Sequence, residues 1–248
     1  MFPIRDHNPS QTRPIVTVAL IVINLLVFVS YRSLSSDPAA LAGFYQNWGL
    51  IPAHIAAGAT WHTLITSMFL HGGLMHLGGN ILFLWIFGDN LEDKLGHVGF
   101  LAFYLVCGAA AGLAQFAANP ASLVPTIGAS GAIAGVMGGY LLLYPKARID
   151  VLFIFIIIFK IFPVPAWVVL GVWFGFQLIN GLSADISGGG VAFWAHVGGF
   201  VAGFLLVLPV WLRLGGTRFW RQSSGHPPHP ESTYRFSRSQ IPRVTRKR

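Results

Sequence analysis

Residues 128–146 read GASGAIAGVMGGYLLLYPK, and no charge occurs between Gly128 and Lys146. At a rise of about 1.5 Å per residue, a helix from Ser130 to Lys146 covers about 24 Å. A bilayer's hydrocarbon core is about 30 Å thick and asks for about 20 apolar residues. The stretch therefore reads as a membrane span with a serine at its head. Gly131 and Gly135 lie four apart along it, a small-xxx-small spacing that lets helix backbones approach closely in lipid.

The rest of the chain has the same character. Its 248 residues are 54% hydrophobic and only 10% charged, against about 25% charged in soluble domains. Further apolar segments fall at 14–31, 74–90, 98–117, 164–181 and 194–212. With 129–144 they predict six spans, so the expected fold is an all-α polytopic membrane protein, a six-transmembrane-helix bundle. The expected organisation is a cytoplasmic N-terminus over 1–13, a membrane domain over 14–212 with a long outer loop at 32–73, and a basic disordered tail over 213–248. The outer loop's mixed polarity predicts short helices at the interface. The apolar stretch Val151 to Phe162, closed by Pro163 and Pro165, reads as an interfacial or re-entrant piece, or as an early start to the fifth span. Ile15 to Val29 is long for a signal sequence and has no A-x-A-like site after it, so it reads as a retained span.

Charge sets the expected orientation. The net charge is +8, yet nine of the sixteen basic residues lie at or after Arg213. That distribution argues against nucleic acid and for a cytoplasmic tail beside a membrane. Lys94, Lys146 and Arg148 then fall in inner loops, with both termini cytoplasmic in a cell membrane. The single cysteine, Cys107, excludes an internal disulfide.

Ionisable and polar residues inside a span are costly and mark function by default. Ser130 opens the fourth span and His196 the sixth, while His76 and Asn80 sit near the head of the second. Alternate spans run in one direction, so all four groups share one depth. A serine hydroxyl beside an imidazole is the minimum set for an acyl-enzyme. In this reading Ser130 is the nucleophile and His196 the general base, and no acidic third member lies at the right level. Asp185, in the loop before the sixth span, is the only candidate orienter, and a Ser–His dyad is preferred. His76 and Asn80, spaced i, i+4, share a helix face. With the backbone N–H of Ser130 they form the expected oxyanion hole. Gly128 and Gly131 let the backbone approach a carbonyl, and Gly199 and Gly203, four apart like Gly131 and Gly135, let the fourth and sixth spans touch beside Ser130 and His196. His71 and His76 are five apart, on different faces of a helix, and no acidic ligand accompanies them. No metal and no cofactor are expected.

The set His71-x-x-x-x-His76-x-x-x-Asn80, Gly128-Ala129-Ser130-Gly131 and Ala195-His196-Val197-Gly198-Gly199 with Gly203 resembles the rhomboid intramembrane serine proteases. The resemblance covers most of 14–212. It implies a six-helix core, a Ser130–His196 dyad, and His76 and Asn80 as oxyanion donors. The implied activity is endoproteolysis of single-pass transmembrane proteins near the outer end of their spans, with those substrates and the lipid bilayer as partners. The chain departs from the pattern at Ala134, where some members place a tyrosine against the base, and it lacks the Trp-Arg pair found in the outer loop of some relatives. A non-catalytic rhomboid-like helix-binding protein and a small transporter are the alternatives. The fifth span and the glycine-rich loop after it are the expected gate.

Overall fold

In the computed structural model of the protein, the described residues are 2–8, 10–155, 158–183, 190–227 and 230–232. The elements are β1 (Phe2–Asp6), α1 (Ile15–Ser30), a 3-10 turn (Arg32–Ser36), α2 (Pro38–Trp48), α3 (Pro52–Ala56), α4 (Thr63–Thr66), a second 3-10 turn (Ser67–Phe69), α5 (Leu74–Leu95), α6 (His97–Ala118), α7 (Ser130–Leu143), β2 (Arg148–Phe155), β3 (Ile158–Pro165), α8 (Ala166–Ser183), α9 (Phe193–Arg213) and α10 (Thr217–Ser223). Helices α1, α5, α6, α7, α8 and α9 lie on the six apolar segments. Three of them, His97–Ala118, Ala166–Ser183 and Phe193–Arg213, are long and apolar enough to cross a membrane. Leu74–Leu95 joins them only when taken with Thr63–Phe69, from which it is bent by 98°. Ile15–Ser30 and Ser130–Leu143 are shorter apolar helices.

Helix α7 is the centre of the molecule, buried along nearly its whole length. Small residues make that possible. A Cβ on Gly199 would meet the carbonyl oxygen of Gly131, one on Gly203 that of Gly135, and one on Gly138 that of Phe200. On the other side of α7, a Cβ on Gly131 would sit 2.5 Å from Ala111 Cβ of α6. Backbone meets backbone between α7 and α9, the contact that small residues permit in lipid. The long segment 32–73 folds into short helices and turns, as its mixed polarity predicted.

Three expectations are corrected. The fold is mostly helical rather than all-α, because the chain contains a three-stranded antiparallel sheet in the order β1-β2-β3. The stretch read as a re-entrant piece or an early fifth span is the β2–β3 hairpin, with Asp150 opposite Pro163 and Arg148 opposite Pro165. Val151 to Phe162 is rich in β-branched and aromatic residues, which favour strands, and its prolines fall on an edge strand, where a missing N–H costs no ladder bond. Arg5 Nε donates to Asp150 Oδ2 at 2.7 Å and ties β1 to β2. The tail, expected to be disordered from 213 on, instead folds back. Phe219 is buried, Trp220 Nε1 donates to the Leu142 carbonyl at 2.8 Å, and Ser232 N donates to the His7 carbonyl at 2.8 Å. Two aromatic side chains give this basic segment an apolar anchor. The expected disorder of 233–248 lies outside the described residues.

The sheet, α10 and the α5–α6 junction gather at the end of the bundle opposite Ser130. Asp6 accepts from Tyr140 Oη at 3.1 Å and from Asn90 Nδ2 at 3.1 Å. Burial first, and the charge of Asp89 second, push its carboxyl up to about 8. Glu92, almost wholly buried, accepts from Val16 N and Thr17 N at 2.8 Å, from Thr17 Oγ1 at 2.7 Å and from His97 Nδ1 at 2.5 Å. Helix α1 has no side-chain N-cap of its own, so Glu92 supplies the anion its N-terminus favours. Glu92→Ala leaves buried donors without a partner and is expected to cost about 2–4 kcal/mol, read as a lowered unfolding temperature in detergent. Unchanged unfolding would refute the capping role.

Candidate functional site

Ser130 is the first residue of α7, so its N–H has no acceptor within the helix. The turn before it is held from outside. Gly128 N donates to the Ser67 carbonyl at 2.9 Å, and Thr126 pairs with Leu50 through bonds of 2.7 and 3.0 Å. Gly128 has φ +127, a backbone region that suits glycine. His196 lies in the first turn of α9, and the glycine contacts lower down bring that turn against α7. Ser130 Oγ and His196 Nε2 are 2.8 Å apart.

The imidazole is fixed on its other side. His196 Nδ1 lies 2.8 Å from Gln177 Oε1 of α8, and its ring sits 5.6 Å from that of Trp173 at 37°. The sequence reading missed both residues. The available signal was an amide, one of two, within an apolar helix. Ala134, where some relatives carry an aromatic residue against the base, is fully buried; Trp173 brings an aromatic ring to His196 from a different helix. Asp185, the only acidic candidate for this role, lies outside the described residues.

His76 lines the cavity beside Ser130 and His196. The Gly72 N–H donates to His76 Nδ1 at 3.3 Å, which leaves Nε2 as the nitrogen carrying hydrogen in a neutral ring. A Cβ placed on Gly128 would be 2.7 Å from His76 Nε2 and 3.5 Å from Ser130 Oγ. The space next to Gly128 is thus within reach of a histidine donor and the serine together. Asn80 is buried, and its Nδ2 has no hydrogen-bond partner. A buried amide donor without a partner is costly. His71 is not on a helix face at all. It sits in the turn before α5, fully buried, with its ring 5.1 Å from that of His76. Among the described residues no three His, Cys, Asp or Glu side chains cluster as metal ligands do.

A cavity of about 680 Å³ opens over the pair, lined by His76, Gln115, Asn119, Ser130, Ala192 and His196 among others. Gln115 also holds the start of α9, since Ala195 N donates to its Oε1 at 3.2 Å. The arrangement is an open, partly polar cleft lined by a hydroxyl and two imidazoles. Chemically it suits attack on a carbonyl.

The Rhomboid domain family model matches residues 58–213, which include every one of these side chains. The chain belongs to the rhomboid family. It is 30% identical to the rhomboid protease GluP of Bacillus subtilis over 206 residues, 82% of this chain and 36% of that protein. It is 35% identical to the mitochondrial Rhomboid protein 1 of Saccharomyces cerevisiae over 150 residues, 58% of this chain and 40% of that one. It is 28% identical to the chloroplastic Rhomboid-like protein 11 of Arabidopsis thaliana over 207 residues, 82% of this chain and 68% of the relative. The match therefore spans well under half the length of the first two relatives. Within the rhomboid family, this chain holds its candidate base with a glutamine from α8.

Proposed function

We propose that this rhomboid is an intramembrane serine endopeptidase that cleaves single-pass transmembrane proteins near the outer end of their spans. The observation that carries the reading is the 2.8 Å contact between Ser130 Oγ and His196 Nε2 on the wall of an open cavity. Ser130 Oγ attacks the peptide carbonyl while His196 Nε2 takes its proton. The oxyanion forms within reach of His76 Nε2–H, Asn80 Nδ2–H and the Ser130 N–H. The tetrahedral adduct then collapses: the C–N bond breaks and the imidazolium gives its proton to the leaving amine. Water, activated by the same imidazole, hydrolyses the acyl-serine. A peptide bond in a lipid-embedded helix is dry and internally hydrogen-bonded, so a substrate must unwind inside a protein-lined, wet cleft. The cavity over Ser130 supplies such a cleft.

The six apolar helices are proposed to traverse a cell membrane with both termini on the cytoplasmic side. The basic residues support this sidedness, since Lys94, Lys146, Arg148 and Arg213 lie toward the end of the bundle opposite the cavity.

The test is covalent labelling by a fluorophosphonate probe. Wild-type protein in detergent is expected to be labelled, and Ser130→Ala to be unlabelled with unchanged thermal unfolding. A folded wild-type protein that takes no label would overturn the protease reading and favour helix binding or transport.

A further inference from the structure

We infer that Gln177 is a positioning residue that fixes the tautomer and orientation of His196 in place of an acidic third member, so that helix α8 carries part of the dyad's machinery. The inference rests on the protease reading and goes beyond it. Gln177 is buried, and its two ends are assigned by their neighbours. Its Nε2 donates to the Trp173 carbonyl one turn earlier, at 3.4 Å, which turns Oε1 toward His196. A carboxamide oxygen only accepts. The bond at 2.8 Å therefore requires hydrogen on His196 Nδ1, and a neutral ring then presents a lone pair on Nε2 to the Ser130 hydroxyl. His76 is held the opposite way, accepting at Nδ1 from Gly72. Two neutral imidazoles in one cleft are thus set in opposite tautomers, one as acceptor beside the nucleophile and one as donor.

A carboxylate in this position would stabilise the imidazolium by its charge. A neutral amide orients the ring without that charge, so its removal is expected to cost less than the roughly 10⁴-fold seen when a triad aspartate is replaced by its amide. The placement also ties the base to α8. That helix meets α9 through Phe174 stacked on Phe200 at 4.6 Å, Trp173 beside His196, and Gln177 itself. Its opposite face, with Phe176, Ile179 and Leu182, is exposed.

The test compares Gln177→Leu and Gln177→Glu in the full-length protein, by the second-order rate of fluorophosphonate labelling across pH. His76 is the titratable group that faces His196, and it stays intact in both variants. Among the described residues, α7, α8 and α9 bring no carboxylate or lysine to this level, and the ionisable groups of α6 (His97, Tyr104, Cys107) lie nearer its other end. Gln177→Leu is expected to lose about 10- to 100-fold in rate with unchanged thermal unfolding. Gln177→Glu keeps an acceptor and is expected to restore the rate to within about 3-fold at high pH, while moving the acid limb of the profile upward by about one unit. A Gln177→Leu protein that labels at the wild-type rate, or a Gln177→Glu profile superimposable on the wild type, overturns the inference. Should Gln177→Leu fail to fold, the Gln177→Glu profile decides alone. Failure of the protease reading looks different, because the wild type itself then takes no label.

Discussion

His196→Ala is expected to lower the single-turnover rate on a cleavable transmembrane substrate in liposomes by about 10⁴-fold or more. Ser130 Oγ meets Nε2 at 2.8 Å, and among the described residues no other base stands at that oxygen. The hydroxyl then attacks without a proton acceptor, and the leaving amine departs without a donor, so both halves of the reaction slow. The oxyanion donors remain and set a floor under the residual rate. Groups that act as a unit are far from additive, so Ser130→Ala combined with His196→Ala is expected to be no slower than either alone. The stability cost is small by comparison. Removing the ring leaves Gln177 Oε1 without its donor, worth about 1–2 kcal/mol. A His196→Ala protein keeping more than about 1% of wild-type turnover would show that another group takes the proton.

Gly203→Val is expected to be the most disruptive single change in the bundle, at about 4 kcal/mol or more. A Cβ there falls on the carbonyl oxygen of Gly135. The obstacle is backbone, which cannot rotate aside as a side chain can, so α7 and α9 must separate along their length. Gly199 faces Gly131 in the same way one turn nearer the cavity. Separation would therefore carry His196 away from Ser130, and activity is expected to fall with stability. Gly171→Ala is the control. A Cβ at Gly171 of α8 meets nothing within 4 Å, and the change is expected to be neutral or to stabilise by up to about 1 kcal/mol through helix propensity. Thermal unfolding of both variants in one detergent checks the contrast. Equal unfolding temperatures would mean that the glycine seam does not hold the helices together.

The placement of the helices and the meeting of Ser130 with His196 were legible in the sequence because each had a pattern to carry it. Ser130, His196, His76 and Asn80 are polar groups at the heads of apolar segments, and the glycine spacing pointed to the α7–α9 contact. Gln177 had no such pattern. It is one of two amides in an apolar helix, and its partner is 19 residues away on another helix. Only the crossing of α8 and α9 makes the pair. The hairpin was misread because Val151 to Phe162 is apolar throughout, and a short continuous apolar run has no period that separates a strand from a buried helix. The tail was misread because the basic residues after Arg213 outweigh Phe219 and Trp220 in composition, though those two rings decide where it docks.

The pairing of β1 with β2 sets a schedule for synthesis. Arg5 waits for Asp150, 145 residues later in the chain. At translation rates of about 5–20 residues per second, the first strand stays unpaired for roughly 7–30 s while α1, α5, α6 and α7 are already made. Closing the sheet is therefore a late step that latches helices already in place, and a tag fused ahead of Phe2 must leave that strand slack enough to reach its partner.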